Sequence, residues 1–231
     1  MKDKSEIFVA ISGDVVASRE IGDRENFQQQ FLKAVEEVNK NFGEDIAVPF
    51  SFTRGDEVQG LTSSLAVSLD IAMFFSKKLY PQKLRFGIGC GGLSTQIHQT
   101  TARMDGDCFR FSRGALEEAS KRKKCIVWKT GSEWLDTAIN TMNMLIETIQ
   151  KDWKEYYFRR FWLYQEYGNI KRVSEIEGIT KQAVAKSLAE AHYQEVLEAQ
   201  KKLRNTLRFG FEVISQKVDS RLVNEIWLKK L

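Results

Sequence analysis

Apolar positions along this chain fall into two regimes. Up to about Leu135, short runs of β type alternate with runs of helical period. Ile7 to Ile11 (IFVAI) is continuously apolar and ends at Ser12-Gly13-Asp14, which predicts a buried central strand entering a turn. Between Arg24 and Phe42, the residues Phe27, Phe31, Leu32, Val35, Val38 and Phe42 recur at helical spacing, and Gly43 supplies the stop. Val48–Thr53 and Val58–Leu61 flank Arg54-Gly55-Asp56-Glu57 and predict a hairpin. A buried helix is predicted over 64–79 and a strand over Leu84–Gly89 that ends in a tight turn at Gly91-Gly92. A helix from about Asp107 to Lys121 and a short strand over Cys125–Trp128 complete the series.

The order β-α-ββ-α-β is that of a ferredoxin-like split βαβ unit, extended by one helix and one strand, so the expected fold is α+β. In that topology the first two strands run parallel with the third inserted antiparallel between them. The end of the first strand and the hairpin turn then share one sheet edge, and Asp14 and Asp56 become neighbours.

Beyond Leu135 the pattern is helical, with Trp153, Tyr156, Tyr157, Phe161 and Trp162 as large anchors. This predicts an α+β domain over 1–140 and an all-α domain over 141–231, joined without a proline or glycine linker. Within the second, Asn169 is placed to cap a helix over Ile170–Glu177, Gly178 to make a turn, and Thr180 to cap a helix opening Lys181-Gln182-Ala183-Val184. That is a helix-turn-helix over about 169–194. Val173, Ile176, Ile179, Val184 and Leu188 are expected to point inward, with Ser174 and Ala183 allowing close crossing. Residues 195–231 carry further apolar positions, among them Leu222, Val223, Ile226 and Trp227, that serve either as packing or as the seam of a homodimer.

Composition changes this picture little. At 231 residues, 42% hydrophobic and 29% charged, with two prolines, the chain is an ordinary folded protein. Cys90, Cys108 and Cys125 are too widely spaced for a zinc site or disulfide framework. The opening MKDKSEIF lacks the apolar core of a signal peptide, and the most apolar stretch, Leu65–Phe75, falls short of the roughly 20 residues of a membrane span, so a cytoplasmic protein is expected. Charge is more telling. The net +4 is concentrated after residue 150, where 16 Lys and Arg face 11 Asp and Glu.

Two kinds of chemistry follow. Carboxylates gathered on one sheet edge repel each other unless a cation joins them, so Asp14 and Asp56, with Glu57, are candidate ligands for Mg2+ or Mn2+. Such an ion keeps waters and recruits phosphates, and Ser18, Arg19, Arg54 and Arg85 are the candidates to hold a nucleotide. Alternatively, the two aspartates are turn residues that bond backbone N–H groups. In the helical part, Thr180, Lys181, Gln182 and Lys186 are candidates for a DNA groove, with Lys171, Arg172, Arg159 and Arg160 for phosphates. The alternative there is a helical hairpin used for protein contacts. Gly87-Ile88-Gly89-Cys90-Gly91-Gly92 lacks the spacing and the Lys-Ser/Thr of a phosphate-binding loop.

The segments FVAISGDVVASR (8–19), FTRGDEVQGL (52–61), RFGIG (85–89) and MDGDCFRFSRGALEEASK (104–121), followed by the helix-turn-helix, resemble the SatD family of bacterial proteins. More distantly, they look like class III nucleotidyl cyclases and polymerase palms. That resemblance implies that Asp14 and Asp56 hold metal ions on a nucleoside triphosphate. It also places Phe52 where many cyclases read the purine with lysine and Arg110 near the transition-state asparagine, while Arg113 stands near the cyclase arginine. VSEIEGITKQAVAKSL looks like the helix-turn-helix of sigma-factor-type regulators. The implied function is a DNA-binding regulator whose first domain binds a nucleotide with a divalent metal. The alternative is a Mg-dependent nucleotidyl cyclase or nucleotidyltransferase localised by its helix-turn-helix, with Arg110 and Arg113 as candidate catalytic residues.

Overall fold

The structure, a computed structural model, describes residues 6–216. Five strands, β1 (Ile7–Val15), β2 (Ile46–Arg54), β3 (Glu57–Thr62), β4 (Leu84–Gly92) and β5 (Ile126–Lys129), form one sheet in the order β2-β3-β1-β4-β5. β1 is antiparallel to both β3 and β4, β2 and β3 form an antiparallel hairpin, and β5 is parallel to β4. The hydrophobic run of β1 therefore sits centrally, with Val9, Ala10 and Ile11 fully buried. On the β2 edge, Pro49 and three register shifts interrupt the ladder, which discourages pairing with another chain.

The sheet is covered on both faces. On one, α1 (Arg24–Asn41) and α2 (Ala66–Leu79) bring Phe31 and Phe75 against Phe50, Phe52 and Phe86, mostly edge to face. On the other lies α3 (Asp107–Arg122). Its approach is close because Gly87, Gly89 and Gly91 alternate with larger residues along β4. A Cβ on Gly89 would lie 2.1 Å from the Cys108 carbonyl oxygen and 2.2 Å from the Ser112 nitrogen. β4 thus runs on through Gly92, where the sequence suggested a tight turn: these glycines seat a helix rather than bend the chain. Leu32, expected in the core, is 51% exposed because Phe31, Ala34, Val35 and Val38 already fill the inner stripe of α1.

Helices occupy the remainder: α4 (Glu133–Gln150), α5 (Glu155–Tyr167), α6 (Ile170–Glu177), α7 (Lys181–Glu190) and α8 (Tyr193–Gln216). The chain divides into two compact units, one of residues up to Asn140 together with those from Arg204 on, the other Thr141–Leu203. The sequence placed everything after 141 in the second unit. The difference arises because α8 returns: Arg204 Nε donates to Asp70 Oδ1 at 2.8 Å, and Gly210 lies against Leu135. Leu222, Val223, Ile226 and Trp227 lie outside the described residues.

In the second unit, Asn169 Oδ1 accepts from the Lys171 and Arg172 N–H groups and Thr180 Oγ1 from Ala183 N–H, which starts α6 and α7 at the residues the caps implied. Gly178 makes the turn between them at φ 67°. Val173, Val184 and Leu188 form the buried centre, with Leu163, Ile170, Ile179 and Tyr193 around it. Ile176, expected to point inward, is 43% exposed, and Ala183, expected at the helix crossing, is exposed, whereas Ser174 and Ser187 are buried.

Candidate functional site

β1 carries Asp14 to the sheet edge, where the antiparallel register sets it opposite Arg85 on β4. One residue earlier, Gly13 pairs with Val58, just after the hairpin turn that holds Asp56. The two strands flanking β1 thereby deliver a guanidinium and a second carboxylate to Asp14. Arg85 Nη1 is 3.7 Å from Asp14 Oδ2 and donates to Ser120 Oγ at 3.1 Å. Asp14 Oδ1 is buried and has no hydrogen-bond partner.

Burial pushes the Asp14 carboxyl above its ordinary value; Arg85 pulls it back, and Asp56 pushes it further up. Ionised Asp14 is thus under-compensated in the fold, and its stability contribution falls as pH rises from the ordinary carboxylate range through the raised value. A cation relieves that cost. The donor chemistry suits a hard divalent ion, since Mg2+ is commonly held by one or two carboxylates plus waters and phosphate oxygens. Among the described residues, no group of three His, Cys, Asp or Glu side chains converges to hold a metal, so Asp14, Asp56 and Glu57 do not make a closed cage.

Behind Asp14 lies a buried polar chain that the sequence did not announce. Gln59 Nε2 donates to Ser12 Oγ at 2.8 Å, Ser12 and Ser112 hydroxyls are 2.8 Å apart, and Ser112 Oγ donates to the Gly87 carbonyl at 2.8 Å. It ties β1, β3, β4 and α3 together two residues before Asp14. Polar residues inside strands read as solvent-facing when only the pattern is available.

The other predicted residues are distributed unevenly. Ser18 and Arg19 form a 3₁₀ turn, Ser18–Glu20, after the left-handed Ala17, with Arg19 exposed. Arg54 ends β2 and pairs in register with Glu57 across the hairpin turn. Arg110 and Arg113 are exposed on α3, where Arg110 is bound to Asp107 and Arg113 lies 3.7 Å from Asp105. The helix rise sets Arg113 about 10 Å and Arg110 about 15 Å along α3 from Ser120, the residue that touches Arg85. One chain therefore does not gather them around Asp14. Burial pushes the Cys90 thiol up to about 12 and the Cys108 thiol to about 11, so both are packing residues rather than nucleophiles.

In the second unit, Lys181, Gln182 and Lys186 are exposed on α7. Lys171 and Arg172 share Glu175 at 3.9 and 3.6 Å, and Arg172 stacks over Tyr167. Arg159 and Arg160, expected to face phosphates, are both paired with one carboxylate, and Arg159 keeps 60% of its side chain exposed. Each donates to the nearly fully buried Glu177 at 2.5 Å, locking α5 to the end of α6.

A mixed α+β unit with an aspartate closing its central strand, followed by a helical unit with two short capped helices, defines the class of protein. The SatD family model matches residues 8–207, and the chain belongs to that family. No curated protein matches it. Among solved structures, a bacterial light-regulated adenylyl cyclase aligns at 10% identity over 53% of this chain and 74% of that one, with a TM-score of 0.42. The dimeric guanylyl cyclase domain of the RhoGC fusion protein from the aquatic fungus Blastocladiella emersonii aligns at 14% identity over 49% and 74%, with a TM-score of 0.38. A regulator of polyketide synthase expression from Bifidobacterium adolescentis aligns at 12% identity over 87% and 85%, with a TM-score of 0.24. No helix among the described residues is long and apolar enough to cross a membrane.

Proposed function

We propose that the Asp14–Asp56 edge binds a nucleotide together with Mg2+ or Mn2+, and that the protein is a cytoplasmic regulator whose α6–α7 segment is a helix-turn-helix for duplex DNA. The order β2-β3-β1-β4, antiparallel throughout, with helices after β1 and β3, supports a ferredoxin-like reading of the first unit. The observation that carries the site is the buried, unpartnered Asp14 Oδ1, on a carboxyl that the charge of Asp56 also pushes upward. A bound divalent ion supplies charge neutralisation and an anchor for phosphate oxygens. Asp14 and Asp56 would hold it, while Arg19 and Arg54 offer positive charge to the phosphates and Ser18 a hydroxyl.

Binding, rather than turnover, is favoured because Arg110 and Arg113 are each engaged by a neighbouring carboxylate and stand away from Asp14 on α3. The test is calorimetric titration of the four nucleoside triphosphates with and without Mg2+, with product analysis of any that bind. At least one should bind only with the metal, and Asp56→Asn, which preserves turn hydrogen bonding, should lower its affinity by at least about tenfold. Unchanged affinity in that variant sinks the site. Accumulation of a cyclic or nucleotidylated product would replace the sensor by the nucleotidyl cyclase or nucleotidyltransferase reading.

The DNA reading rests on the exposed, capped start of α7. Gln182 has the geometry for paired hydrogen bonds to adenine, and Lys181 and Lys186 flank it. Lys171→Ala or Arg172→Ala should weaken binding to all duplexes alike and flatten its salt dependence. Gln182→Ala should instead cost about 1–3 kcal/mol at one base pair only. Fluorescence anisotropy with a selected duplex pool at two salt concentrations measures both. No binding above background at low salt would leave the segment to protein contacts.

A further inference from the structure

We infer that Arg85 is a built-in counterion that makes the Asp14 site respond to a metal–phosphate complex rather than to the free metal ion; this rests on the nucleotide and cation reading of the same edge. At 3.7 Å from Asp14 Oδ2, Arg85 Nη1 is near enough to neutralise the carboxylate yet beyond hydrogen-bond range. The carboxylate's acceptor capacity remains unspent, as the orphaned Oδ1 also records. The same Nη1 donates to Ser120 Oγ at 3.1 Å in the last turn of α3, which gives the guanidinium a second resting partner off the aspartate. Backbone pairing of Asp14 with Arg85 fixes both Cα atoms, so only the side chain has to move.

Without ligand, Arg85 supplies the positive charge that burial of Asp14 demands. A bare divalent cation must enter against that guanidinium, since two positive charges would then share one carboxylate. A triphosphate arriving with the cation reverses the sign of the interaction, because its oxygens attract the guanidinium that the metal repels. Arg85 thereby penalises the cation alone and favours the complex.

The experiment uses the full chain, with Mn2+ alone and Mn2+ with inorganic triphosphate as probes, read by electron paramagnetic resonance and calorimetry. Arg85→Gln should bind Mn2+ alone about tenfold more tightly than wild type and the Mn2+–triphosphate complex about tenfold more weakly. Arg85→Lys, which keeps the charge, should resemble wild type in both, and circular dichroism confirms that each variant is folded. Shifts in the same direction in Arg85→Gln, or no shift, overturn the inference while leaving the site intact if Asp14→Asn abolishes binding. Failure of wild type to bind either probe at millimolar concentration overturns the site reading, and the inference with it.

Discussion

Gly89→Ala is expected to destabilise the protein by at least about 3 kcal/mol, a fall in Tm of roughly 6–12 °C for a chain of this size. The added methyl would sit 2.1 Å from the Cys108 carbonyl oxygen and 2.2 Å from the Ser112 nitrogen. Both are backbone atoms of α3, so no rotamer change relieves the clash. The helix has to lift from β4, which also breaks the Ser112 bond to the Gly87 carbonyl. Gly114→Ala is the control: it lies inside α3 with nothing nearer than Lys129 Nζ at 3.6 Å, so helix propensity should make it neutral or stabilising by up to about 1 kcal/mol. Thermal melts followed by circular dichroism compare the two. A Gly89→Ala protein that melts within a degree of wild type would mean that α3 does not press on β4 this closely.

Glu177→Ala should cost about 3–5 kcal/mol locally, because it leaves Arg159 and Arg160 side by side without their shared carboxylate. Arg160 is the more buried partner, with 14% of its side chain exposed, and suffers more. The loss falls on the junction of α5 with the turn at Gly178, so hydrogen-exchange protection over 170–190 should drop by a factor of about 100 to 4,000. Asp14 and the sheet should keep theirs. Equal protection in wild type and variant would show that the apolar centre at Val173, Val184 and Leu188 holds this segment unaided.

Much of the strand and helix order was legible because it is written in local apolar patterns. The run at Ile7–Ile11, the hairpin turn at Gly55 and the caps at Asn169 and Thr180 each act within a few residues. What the pattern hid depends on contacts between distant segments. The glycines of β4 looked like a turn because their use is to admit α3, about 20 residues later in the chain. The pairing of Arg159 and Arg160 with Glu177 was hidden because these residues meet only after α5 and α6 fold together. Leu32 and Ile176 fit a helical stripe in sequence, but the faces they occupy meet no partner among the described residues wide enough to bury them. At the candidate site, proximity of Asp14 to the hairpin followed from topology. The Arg85 pairing did not, because it depends on the residue-by-residue register of β4 against β1, which topology alone leaves open.

The return of α8 also sets the order in which this protein is completed during synthesis. When residues up to 140 have left the ribosome, all five strands of the described sheet exist, yet the segment carrying Arg204 and Gly210 has not been made. Asp70 then waits 134 residues for its partner. Meanwhile the contiguous segment 141–203 emerges and has all its own contacts in hand. All the segments of the later unit in sequence are thus present before the unit bearing the acidic edge receives its last contacts, from the helix that follows.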